Sequence, residues 1–193
     1  MTLETRALSA PVDVVGEDKR TAVGYAALFN ERANIAGAFD EQIAPGAFDG
    51  FGDVLALVDH DTGRVIGRTT SGTLRLEQDA RGLRVEVDLP DTQDGRDLAV
   101  QLGRGDISGM SFGFRVTGDE WDESGDMPLR TIRSVDLIEV SAVALPAYKE
   151  TEIALRQADI AMQSLEKHRK QQNFRAASKR LARKVHLDLS VRR

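Results

Sequence analysis

The chain has 193 residues with no cysteine, 26 basic and 31 acidic side chains, a net charge of −5, and 41% hydrophobic but only 5% aromatic residues. That balance supplies apolar material for one sizeable core and excludes a disordered or collagen-like chain, while the lack of cysteine excludes a disulfide scaffold, a thiol nucleophile and thiolate metal sites. No run approaches the ~18 consecutive apolar residues of a membrane span, and Met1 to Arg6 carry no apolar signal core, so a soluble protein with no membrane contact is expected.

In chain order, period-two alternation predicts strands at 23–29, 54–59, 73–76, 83–89, 111–117 and 135–145. A short helix is expected near 45–48. In the fourth of these strands Leu83, Val85, Val87 and Leu89 point one way and Arg84, Glu86 and Asp88 the other. Asp79-Ala80-Arg81-Gly82 supplies the turn that makes it one arm of a hairpin with 73–76. A helix is expected over 92–103, capped by Asp91 or Thr92, with Leu98, Val100 and Leu102 as its apolar surface and Gly103 as its stop. The run 135–145 is nearly all apolar, as in a strand buried on both faces.

Charge then changes sign. Residues 1–150 carry 15 basic and 27 acidic side chains, whereas residues 151–193 carry 11 and 4 and contain neither Gly nor Pro. An acidic domain from 1 to 150 and a basic helical tail from 151 to 193 are the expected units. In the tail Leu155, Ala158, Met162 and Leu165 form one apolar stripe, and Phe174, Ala177, Leu181 and Val185 a second. Such a helix can be a solvated face, dock an acidic partner, or join a homodimer or higher oligomer. With Phe174 as its lone aromatic it offers no stacking platform for nucleic acid.

Three segments hold residues able to do chemistry. Of the three histidines, His168 and His186 lie among Lys and Arg of the tail and read as a solvated face, whereas His60 sits where 54–59 runs out into a turn. A strand behind an exposed imidazole fixes its orientation. Asp59 and Asp61 flank it without the spacing of metal ligands, and no metal or other cofactor is expected. Around Ser108 and Ser111, Gly109 and Gly113 allow a substrate backbone to approach closely, which suits a nucleophilic serine and equally suits a strand with a bulge. Glu139 interrupts the apolar run and needs a partner, because an unpaired buried charge costs several kcal/mol. An imidazole would serve, as would an arginine such as Arg68 or Arg133.

Five short motifs recur in an order that points further. They are Gly24-Tyr25-Ala26-Ala27-Leu28-Phe29-Asn30, Glu41 to Phe48, Leu57-Val58-Asp59-His60-Asp61 with Gly67-Arg68-Thr69, Ile107-Ser108-Gly109-Met110-Ser111-Phe112-Gly113-Phe114, and Leu137-Ile138-Glu139-Val140-Ser141 with Pro146-Ala147-Tyr148. Across roughly residues 20–152 the sequence resembles the prohead maturation proteases of tailed bacteriophages, the caudovirus prohead serine proteases, whose fold is similar to that of the herpesvirus assemblins.

The resemblance implies an α+β fold: a mainly antiparallel β-barrel of assemblin-like type, closed or nearly so, flanked by helices. It also implies a serine endopeptidase that cleaves scaffolding and major capsid protein, and itself, inside the immature prohead in the bacterial cytoplasm. Matched residue by residue, it places the general base at His60, the nucleophile at Ser111 and the third member at Glu139, where the assemblins use a second histidine. Ser108 competes for the nucleophile role, but the two serines are expected on opposite faces of one strand. The oxyanion donors are left open between amides near Ser111 or around 145–148, with Arg68 or Arg115 assisting. The alternative is a catalytically silent assembly factor of the same fold that binds capsid or scaffold protein.

Overall fold

The computed structural model describes residues 2–8, 11–16, 20–144 and 152–191, with side chains of the last segment described for 158–180. Its elements are β1 Glu4–Leu8, β2 Asp13–Val15, β3 Thr21–Leu28, β4 Ala33–Ile35, β5 Phe39–Ile43, β6 Leu55–Val58, β7 Asp61–Arg68, β8 Leu74–Gln78 and β9 Gly82–Asp88, then α1 Gln93–Arg104, β10 Gly109–Asp122, β11 Leu129–Val143 and α2 Glu152–Val191. The fold is α+β and mostly strand, as the alternation and the resemblance imply.

The closed barrel is not formed. β11 is the reason: it runs antiparallel to β10 along its length, but its other edge is parallel to β5 over 129–132 and to β6 over 139–142. The first sheet, β1-β10-β11-β5-β4 with β6 attached to β11 and β7 to β6, therefore forks, whereas closure needs one continuous ladder. The second sheet, β2-β3-β9-β8, is antiparallel throughout and buries its apolar side by stacking on the first. Leu83, Val85 and Val87 from the second sheet join Phe112, Phe114 and Val140 from the first in one core cluster.

The 73–89 hairpin forms as expected. Asp79 Oδ1 accepts from the amides of Arg81 (2.7 Å) and Gly82 (2.9 Å) and so holds its turn. At α1 the Thr92 hydroxyl accepts from Gly95 N (3.3 Å), but the helix runs past Gly103 to a left-handed cap at Gly105, φ 79°. Leu98 and Leu102, one turn apart, are buried, while Val100 faces solvent. The short helix expected near 45–48 is a turn instead. Gly46 adopts φ 82°, and the Ala47 carbonyl accepts from Val135 N (3.0 Å) rather than from the next helical turn.

Ala158, Ala161 and Leu165 of α2 pack with Ile35, Phe39 and Trp121, and Trp121 Nε1 donates to Ser164 Oγ (2.7 Å). Residues 171–180 are exposed on every side, with Phe174 at 73%. The side chains of Leu155, Leu181 and Val185 lie outside the described residues.

Beneath that docking site lies a buried charge network. Arg130, 2% exposed, donates to Asp119 (2.8 Å), Glu4 (3.0 Å) and Glu41 (3.0 Å), and Arg6 donates to Glu41 (2.6 Å) and Glu4 (2.8 Å). Burial alone would raise the Glu41 pKa, but the charge and hydrogen bond of Arg6, helped by Arg130, outweigh it and hold the carboxyl below its ordinary value. A depressed carboxylate stabilises the fold above its unfolded pKa, and that contribution fades as pH falls through the folded value. Arg130→Met strands Glu4 and Glu41 with Arg6 alone and is expected to cost about 3–5 kcal/mol. Urea unfolding at neutral pH measures the loss. Repeating it in acid should narrow the gap between variant and wild type, because protonated carboxyls no longer need the arginine.

Candidate active site

β6 and β7 are joined by a two-residue turn, Asp59-His60, across the pair Val58 and Asp61. Both turn residues have positive φ, 50° and 60°, the geometry of a primed hairpin turn that ordinarily takes Asn-Gly. An L-residue there is strained and persists only when its surroundings hold it. Here β11 and the residue that follows it do so: Asp59 N donates to the Ala142 carbonyl (3.0 Å), Ala144 N to Asp59 Oδ1 (3.3 Å), and His60 N to Ser141 Oγ (3.2 Å).

Glu139 stands on β11 opposite Gly113 of β10 and Leu55 of β6. Its side chain lies over Gly113, where a Cβ would stand 2.3 Å from Oε1. That vacancy is what glycine contributes at this position. Oε1 meets His60 Nδ1 at 2.7 Å, and Oε2 accepts from Ser141 Oγ at 2.6 Å. A carboxylate can only accept, so Nδ1–H is the donor, and in the neutral ring Nε2 keeps its lone pair. The imidazole is 35% exposed and the carboxylate side chain 9%. The arginines that could have claimed Glu139 are bonded elsewhere. Arg133 pairs with Glu120 (2.8 Å), and Arg68 with Asp53 (2.7 Å), whose carboxyl it holds down at about 2.

Ser111 is the cross-strand partner of Ala7 in β1 and of Ser141 in β11. By the pleat, Ser111, Gly113, Glu139 and Ser141 share one face of the sheet. The Ser111 hydroxyl donates to the Arg6 carbonyl (2.9 Å), and the residue is 1% exposed. Among the described residues no hydrogen bond joins it to His60. Ser108 is exposed and precedes β10, so it is not on the opposite face of the strand as expected but outside it. The structure thus brings His60 and Glu139 into contact and places Ser111 on the same sheet face as Glu139. Residues 145–148 lie outside the described residues. A cavity of about 410 Å³ borders β1, with Ala7, Leu8, Leu28, Ile43 and Phe112 in its lining.

Sequence reasoning missed Ser141 and the steric role of Gly113. A signal for the first was present: Glu139 and Ser141 are two apart in a strand, hence on one face. The second needed the register of β10 against β11.

The family model described as caudovirus prohead serine protease matches residues 3–170. No curated protein and no solved structure matches the chain.

Proposed function

The chain belongs to the caudovirus prohead serine protease family, and from that premise we propose that it is a serine endopeptidase with Ser111 as nucleophile, His60 as general base and Glu139 as the carboxylate that orients the base. Its substrates are the scaffolding and capsid proteins of the maturing prohead, and the chain itself. One observation carries the reading: the buried carboxylate of Glu139 engages His60 Nδ1 at 2.7 Å and thereby leaves Nε2 as a proton acceptor.

A serine hydroxyl is a weak nucleophile until a base takes its proton. In the resting arrangement that proton points at the Arg6 carbonyl. The reaction requires rotation about χ1, a choice among three staggered wells, to bring it to Nε2. His60 then accepts the proton as Ser111 Oγ attacks the scissile carbonyl, and the carboxylate of Glu139 stabilises the imidazolium. The proton passes to the leaving amine, and water repeats the cycle on the acyl-enzyme.

Labelling with a fluorophosphonate, followed by peptide mass spectrometry, tests this. The expected result is one adduct, on Ser111, together with cleaved capsid protein on co-expression. An unlabelled protein with intact capsid protein would instead identify a silent assembly factor.

A further inference from the structure

Ser141 is completely buried, and both capacities of its hydroxyl go to the residues around the imidazole. A core serine in a strand usually bonds to a nearby backbone carbonyl. This one accepts from His60 N–H at 3.2 Å and donates to Glu139 Oε2 at 2.6 Å. The polarity is forced, since the amide can only donate and the carboxylate can only accept. Among the side chains of the described residues, a hydroxyl with one proton and free lone pairs meets both demands at this point.

We propose that Ser141 is a positioning residue of the active site, a role that rests on the triad reading above. The hydroxyl ties two otherwise independent pieces together, the strained turn that carries His60 and the carboxylate that grips its ring. With Oε2 held by Ser141, the carboxyl plane is set and Oε1 is presented to Nδ1. With its amide held, His60 keeps φ at 60° although it is not glycine. Remove the hydroxyl and the carboxylate loses its second donor while the turn loses one of its three ties to residues 141–144. The imidazole then samples orientations other than the one that Glu139 sets.

The test compares Ser141→Ala and Ser141→Thr with the full-length wild type, using fluorophosphonate labelling over a range of probe concentrations and proton NMR of the His60 ring. Ser141→Ala is expected to label Ser111 about 10- to 100-fold more slowly at saturation, the scale on which outer hydrogen-bond partners act. Its probe affinity should be unchanged, and its Nδ1 proton resonance shifted or broadened. Ser141→Thr keeps the hydroxyl and should recover most of the rate and the wild-type resonance. Wild-type labelling by Ser141→Ala with an unmoved resonance overturns the proposal. So does equal slowing of both variants with the resonance unmoved, which is the mark of a packing role. If Ser141→Ala does not fold, Ser141→Cys, similar in size but a weak donor, is judged by the same two results. Absence of labelling in the wild type would refute the triad, whereas the ring resonance still reports whether Ser141 holds His60.

Discussion

Replacing Ser111 with alanine is expected to abolish cleavage of capsid protein and fluorophosphonate labelling while the protein stays folded. Loss of a serine nucleophile costs about 10⁶ in kcat, or about 8 kcal/mol of barrier. The structural cost is far smaller. Ser111→Ala removes one hydrogen bond to the Arg6 carbonyl, worth roughly 0.5–1.5 kcal/mol. β1 is held independently by Arg6 with Glu41 and by Glu4 with Arg130, so the strand next to Ser111 remains in place. Circular dichroism and thermal melting establish the folded state, and mass spectrometry of co-expressed capsid protein reads the activity. Ser108→Ala, altering an exposed residue ahead of β10, should cleave at the wild-type rate. Full activity in Ser111→Ala would remove Ser111 from the mechanism, and loss of activity in Ser108→Ala alone would transfer the role there.

The parts of the fold that were legible beforehand are those where hydrophobic period and turn chemistry agree. β9 reads directly as Leu83, Val85 and Val87 inside and Arg84 and Glu86 outside, and Asp79 to Gly82 marks its turn. β1 and β5 were illegible for a physical reason: the inward positions of β5 are Phe39, Glu41 and Ile43, and β1 places Glu4 and Arg6 against Glu41 and Arg130. A charge buried among other charges breaks the alternation that identifies a strand. β2 and β4, three residues each, are too short to show a period at all. The early half of β11 was missed because Arg130 and Thr131, both buried, look like surface residues. At the site, the types of residue pointed to His60, the one histidine in residues 1–150, and to Glu139, the charge that interrupts an apolar run. Their meeting depends on β6 lying parallel to β11, and a parallel pairing between segments about eighty residues apart leaves no local trace. The barrel was expected from resemblance, and it fails at the same feature, the switch of β11 from β5 to β6.

Glu139→Gln should lower kcat about 10⁴-fold with little change in stability, through the tautomer of His60 rather than through lost contact. The amide has two orientations. If its oxygen stays on Nδ1–H, its NH₂ faces Ser141, whose hydroxyl already accepts from His60 N–H and would then have no acceptor for its own proton in a site with no exposure. If it turns over, the oxygen accepts from Ser141 and the NH₂ donates to Nδ1, so every group is satisfied. The second orientation wins, because leaving a buried donor unpaired costs roughly 1–3 kcal/mol. It also forces the ring proton onto Nε2, where the imidazole can no longer accept from Ser111. A two-dimensional ¹H–¹⁵N spectrum of the ring distinguishes the tautomers, and turnover within a few fold of wild type would rule out Glu139 as the orienting group. Gly113→Ala reaches the same pair from the other side. In a strand interior this exchange ordinarily gains about 0.5–1 kcal/mol. Here the new Cβ falls 2.3 Å from Oε1 and 3.1 Å from the carboxyl carbon, so the clamped carboxylate has to move. A displacement of about 1 Å in such a group costs on the order of 100-fold in rate. Gly113→Ala that keeps its melting temperature and loses activity would separate the carboxylate's placement from the strand's stability, and Gly113→Ala with wild-type activity would mean that the position of Glu139 does not govern the base.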